Sequence, residues 1–233
     1  MDPRKLPIDE RLKNRCVFCG GQSETKDHCP SKVLLDDPLP ENLPVVESCL
    51  QCNNGFSLDE EYIACFVESV ITGTVDPELV TRPKVRKIYS RKYNLSQQIS
   101  DSCETLENGD LIWYPELARF EHICLKLARG HLAFELSDII TEKPESIDIF
   151  PLSILDEASL FKFELSGMGE IRGWPELGSR AFHRAVGAKP YHNQYGPWID
   201  VQPKRYRYTV DESGGVTVRA VLSEYLAFEI TWA

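Results

Sequence analysis

Two pairs of cysteines constrain this chain more than any other feature: Cys16-Val-Phe-Cys19 and Cys49-Leu-Gln-Cys52, with 29 residues between them. Each pair offers two thiolates from one tight turn, and Gly20-Gly21 after the first eases the backbone there. Four sulfurs from two such turns suit one tetrahedral zinc ion. The alternative is chance spacing with no metal bound. A site closed by four protein ligands has no open position, so the zinc is expected to be structural and any chemistry to lie beside it. The chain has eight cysteines, and its start, MDPRKLPIDERLKNR, lacks the apolar run of a signal peptide. Metal ligands and free thiols are therefore expected in place of disulfides, in a soluble cytoplasmic protein without a membrane span. The formal net charge of −10 argues against coating nucleic acid by bulk electrostatics, so a polyanionic partner would have to be gripped locally.

Between the cysteine pairs, ETKDH reads as a short strand ended by Pro30, and NLPVVES as a second strand leading into the second pair. SLDEEYIACFVESVITG then carries Tyr62, Cys65, Phe66, Ser69 and Val70 at helical spacing. This predicts a helix over roughly 50–72, irregular near Gly55 and stopped at Gly73. The order is thiol turn, strand, loop, strand, helix. It pins Asp27 and His28 against the start of the helix, where Asn53, directly after Cys52, would face them.

The rest of the chain divides at SDSCETLENGD, read as an acidic loop between two halves. Residues 1–15 read as an arm, 16–100 as the first domain with a basic segment, and 101–233 as a second domain. The basic segment holds Arg82, Lys84, Arg86, Lys87, Arg91 and Lys92 with no intervening acid, close to Tyr89 and Tyr93. It is expected to grip a nucleic-acid backbone, the plainer alternative being a solvated helix face. In the second half, Pro115 can open a helix with Leu117, Phe120, Cys124, Leu127 and His131 on one stripe, weakened near Gly130. YRYTV and VTVRAVL flank DESGG as a hairpin, and Leu226, Phe228, Ile230 and Trp232 alternate along a final strand. The fold class is α+β, with a mixed helix and antiparallel-sheet C-terminal domain.

The set CxxC, DH, N, CxxCN over residues 16 to about 72 resembles the HNH endonucleases of the zinc-stapled, treble-clef-like ββα-metal type. The resemblance implies a metal-dependent nuclease that hydrolyses phosphodiester bonds, in DNA more than RNA. It implies Asp27 and Asn53 as ligands of a catalytic Mg²⁺ or Mn²⁺, His28 as general base, and Asn42 as the residue that orients it. Hard oxygen ligands suit either ion, and an imidazole that titrates near neutrality suits a base. Glu60, seven residues beyond Asn53 and on its helix face, would be a third oxygen ligand or a solvated acid. By analogy, a small acidic nuclease of this kind fits phage defence or a toxin effector, with a protein partner or activator left open. The rival reading is a non-catalytic zinc-stabilised module that binds nucleic acid or protein.

Other reactive residues are read as structural. Cys29 is next to His28 but points to the opposite strand face, so the two do not form a nucleophilic pair. Cys65, Cys103 and Cys124 read as apolar fillers, and His122, His131, His183 and His192 as structural histidines. Lys204, Arg205 and Arg207 form a second, weaker basic cluster, expected on an exposed sheet face.

Overall fold

The computed structural model describes residues 10–41, 43–165, 198–212 and 214–233. The first cysteine pair sits in a turn closed by Cys16 N–H donating to the Gly21 carbonyl (2.7 Å) and Gly20 N–H donating to the Cys16 carbonyl (2.8 Å). Gly20 takes φ 74°, a left-handed conformation that costs glycine nothing. Strand β1 (Thr25–His28) then pairs antiparallel with β2 (Val45–Ser48), Asp27 opposite Val46 and His28 opposite Val45. Val17 N–H donates to the Glu47 carbonyl at 3.0 Å, which ties the cysteine turn to β2.

Helix α1 (Leu50–Thr72) begins at the second pair: the Cys49 sulfur accepts the Cys52 N–H and so caps it. The helix runs unbroken past Gly55 and stops at Gly73, whose φ of 69° provides the left-handed C-cap. The basic segment folds as α2 (Pro83–Tyr89), with proline in its first turn, followed by α3 (Tyr93–Ser100). Glu68, buried on α1, accepts the N–H groups of Thr81 and Arg82, both at 2.8 Å, and thereby anchors the start of α2.

The stretch read as a loop carries a hairpin, β3 (Cys103–Thr105) with β4 (Leu111–Trp113), turned at Gly109. Helix α4 (Leu117–Leu136) follows, with Phe120, Cys124, Leu127 and His131 buried as the stripe predicts, while Leu117 is exposed. Gly130 does not end it. That position has no side chain because Cys29 occupies the space: a Cβ there would lie 2.6 Å from the Cys29 sulfur.

Five antiparallel strands make the main sheet: β5 (Ser146–Pro151), β6 (Ile199–Gln202), β7 (Tyr206–Asp211), β8 (Val216–Leu222) and β9 (Leu226–Trp232), in the order β5-β9-β8-β7-β6. The β7–β8 hairpin falls where DESGG predicts it, and Leu226, Phe228, Ile230 and Trp232 all enter the core. On the opposite face Ala227 and Val221 pack with Trp198 and with Phe163 of α5 (Glu157–Leu165). One buried apolar cluster extends from Leu12 and Cys16 through α1 and α4 to Trp232, so the thiol turn and the sheet share a core. Among the described residues, no helix is long and apolar enough to cross a membrane.

Candidate functional site

The sulfur atoms of Cys16, Cys19, Cys49 and Cys52 lie within 4.8 Å of one another and could hold a metal ion. Cys19 and Cys49 sulfurs are 3.8 Å apart, far from disulfide length. A tetrahedral ion with arms of about 2.3 Å needs sulfur separations of about that size. Burial raises the Cys16 pKa, but the backbone N–H groups of Cys49, Phe18 and Cys19 outweigh it and bring the thiol down to about 7. Cys16 is thus biased toward thiolate, while burial and the neighbouring thiols push Cys52 the other way. Arg129, on α4, donates to the Phe18 carbonyl at 3.2 Å and to the Thr141 carbonyl at 2.8 Å, with Cys52 and Cys19 close enough to act on its charge.

Beside this knot, α1 meets β1. Asn53 Nδ2 reaches the Lys26 carbonyl at 3.5 Å, one residue before Asp27. The structure therefore brings Asn53 to the strand that carries Asp27 and His28, with its amide nitrogen toward the main chain. Asn42 lies outside the described residues. His28 is half-buried at the end of β1. Burial, with help from the Lys32 and Lys126 charges and against the pull of Asp27, lowers its pKa below the usual histidine value, which favours free imidazole at neutral pH. Lys32, the first of these cations, is exposed to solvent.

Asp27 is only 9 % exposed. Its Oδ1 accepts the His28 N–H at 2.7 Å, and its Oδ2 lies 2.9 Å from Lys126 Nζ. That second contact is an ion pair without hydrogen-bond alignment, since Oδ2 is fully enclosed and accepts no directed hydrogen bond. Lys126 rises from α4 with its side chain 0 % exposed, a placement that lysine tolerates only when paired. It also meets Glu60 Oε1 at 2.7 Å, Ser31 Oγ at 2.7 Å and the His28 carbonyl at 3.3 Å. Burial opposes its charge, yet Glu60 and Asp27 prevail and hold its pKa above the ordinary lysine value. Glu60 is consequently neither a solvated acid nor a free third ligand.

Sequence reasoning missed Lys126. The available signal was its position in ICLKLA, a lone charge inside an apolar run of a predicted helix.

The basic segment divides. Arg82 is 4 % exposed and spent on the fold, donating to Asp36 Oδ1 (2.8 Å) and to the Val33 (2.9 Å) and Leu35 (3.0 Å) carbonyls. Lys84 is half-buried and pairs with Asp37 at 3.0 Å. Arg86, Lys87, Arg91 and Lys92 face solvent, although Lys92 meets Glu61 at 2.6 Å. Arg91 and Lys92 line an open groove of about 570 Å³ together with exposed Tyr93 and Leu58 and half-buried Arg119. The second basic cluster is not an open face: Arg205 pairs with Asp36, and Arg207, 11 % exposed, pairs with Glu164 and Glu224 and lies over the Trp198 ring.

No family model, curated protein or solved structure matches the chain.

Of the residues read as structural, Cys29, Cys65, Cys124 and His131 are buried, whereas Cys103 is only partly buried and His122 is exposed. Cys29 is buried, its pKa pushed up by burial, and directs its sulfur at the Leu127 carbonyl (3.4 Å). Cys65 is pushed up to about 12 by burial. His131 bonds Tyr206 at 2.8 Å and stacks 3.7 Å over Tyr208, while His122 meets Asp59 at 2.8 Å. His183 and His192 lie outside the described residues.

Proposed function

We propose that the chain is an endonuclease of the HNH type, its N-terminal ββα unit stapled by zinc on Cys16, Cys19, Cys49 and Cys52, acting on nucleic-acid phosphodiesters. The observation that carries this reading is the joint between thiol knot and strand. The knot fastens the turn before β1 to the first turn of α1, and Asn53 meets β1 beside Asp27 and His28. In this reading His28, kept as free imidazole, takes the proton of an attacking water. The water oxygen bonds to phosphorus, the ester P–O bond breaks, and the leaving oxygen is protonated from solvent. Exposed Lys32 beside His28, and Arg86, Lys87 and Arg91 further along, supply the positive surface that an acidic chain needs for a polyanion.

The implied Mg²⁺ or Mn²⁺ does not fit the donors as they stand. Both Asp27 oxygens are engaged, and Glu60 Oε1 is held by Lys126 and Ser31. Among the described residues, the four thiols are the only group of three or more His, Cys, Asp or Glu ligand atoms that converge.

The Asp27–Lys126 pair favours a second reading, a zinc-stapled module that binds nucleic acid or a protein without cutting. Incubating supercoiled plasmid and single-stranded DNA with wild type and His28→Ala separates the two. A nuclease loses on the order of 10²-fold or more in rate without its base. Equal residual nicking by both proteins ends the nuclease reading, and retained binding then supports the second.

A further inference from the structure

Asp27 belongs to β1, Glu60 to α1 and Ser31 to the loop between β1 and β2, and one ammonium from α4 meets all three. Two acids on separate elements, both largely withdrawn from water, need a counter-charge. A divalent ion is one solution, and a lysine is another. Here the lysine is completely enclosed, and its three N–H groups suffice for Glu60, Ser31 and the His28 carbonyl while its charge answers Asp27.

Mg²⁺ requires oxygens at about 2.0–2.1 Å in near-octahedral order and gives up its waters reluctantly. To reach Asp27 Oδ2 it would have to enter an enclosed space with an ammonium 2.9 Å from that oxygen. To reach Oδ1 it would compete with the His28 N–H. Like charges at such range repel strongly where water is excluded.

We propose that Lys126 is the resident cation of this site, a fixed ammonium delivered by α4 that balances Asp27 and Glu60 and keeps Mg²⁺ and Mn²⁺ off Asp27. Lys126 is buried and cannot touch a phosphate, so it acts as a positioning residue that sets the end of β1, where His28 sits. The inference rests on reading this corner as the functional site, but it is judged by ion binding. A chain that cuts nothing can still satisfy it, and a chain that cuts can still violate it.

The test is Mn²⁺ titration of the zinc-loaded full chain, following free Mn²⁺ by electron paramagnetic resonance. Wild type and Asp27→Asn should give the same isotherm. Lys126→Ala should gain a Mn²⁺ site that binds about tenfold tighter or more than any in wild type, because removing a close like charge relieves several times the free energy of one decade in affinity. That gain should vanish in Lys126→Ala/Asp27→Asn. A single Mn²⁺ bound by wild type and lost in Asp27→Asn overturns the proposal. So does a folded Lys126→Ala with no gained site. Should a variant fail to fold, the wild-type amide spectrum decides alone: selective broadening of the Asp27 and His28 signals by Mn²⁺ refutes the proposal, and its absence upholds it.

Discussion

Arg82 Nε and Asp36 Oδ1 meet at 2.8 Å, the arginine 4 % exposed and the aspartate held from its other oxygen by Arg205 at the same distance. This carboxylate joins the loop after β1, the start of α2 and the edge of the main sheet, where Gln202 Oε1 also accepts its backbone N–H. Arg82 is therefore a structural residue inside a segment that reads as a nucleic-acid grip. Arg82→Ala should cost about 2–4 kcal/mol in urea unfolding, since it leaves Asp36 with Arg205 alone and takes the guanidinium donor from the Val33 and Leu35 carbonyls. Lys87→Ala and Arg91→Ala should each cost under about 0.5 kcal/mol and, unlike Arg82→Ala, should weaken nucleic-acid binding without unfolding the chain.

Asp36 also gives the molecule an acid limb. Burial raises its pKa, but the hydrogen bond and charge of Arg82, then those of Arg205, overcome that and leave it below the usual aspartate value. A carboxylate depressed in the folded state adds stability above its unfolded pKa of about 3.9, and the contribution fades as pH falls through the folded value. The urea midpoint of wild type should therefore drop below about pH 4. Asp36→Asn should be weaker at pH 7 and should lose less across the same window. Equal slopes would remove Asp36 as the cause.

The thiol knot predicts one equivalent of zinc per chain, released by a strong chelator and absent from Cys16→Ser. Zinc bound only by the folded knot contributes directly to local stability, several kcal/mol on the scale of small zinc modules. Hydrogen exchange on the stripped protein should show lost protection in β1, β2 and the first turn of α1. The five-stranded sheet should lose less, because its strands pair with one another and pack on α4, although its core is continuous with the knot.

Gly130 offers a test of close packing. A methyl group there would lie 2.6 Å from the Cys29 sulfur and 3.2 Å from its Cβ. Gly130→Ala should destabilise by about 1–3 kcal/mol despite alanine's better helix propensity. Adding Cys29→Ala should recover part of that loss in a double-mutant cycle. If the cycle is additive, the two residues do not share this space.

Much of the first half was legible because its signals are local. Cysteine spacing, a proline after DH and a glycine at position 73 each act within a few residues, and α1 spans Leu50–Thr72 as its periodicity predicts. The β7–β8 turn and the inward face of β9 were legible for the same reason. The β3–β4 hairpin was not, since strands of three residues in a polar stretch carry too short a pattern to register. The charges were least legible. Whether an arginine grips a ligand or its own fold depends on partners such as Asp36 that lie far along the chain. Lys126 is 66 residues from Glu60 and 99 from Asp27, a separation no local pattern encodes.

Lys126 and Arg129 stand one turn apart on α4, the first set against Asp27 and Glu60, the second against the thiol knot. The cysteine-bearing unit is thus not portable. Excised at its apparent end, it would leave two acids facing each other with nothing between them, so a graft into another scaffold would need to bring along the helix that begins more than forty residues after α1 has finished.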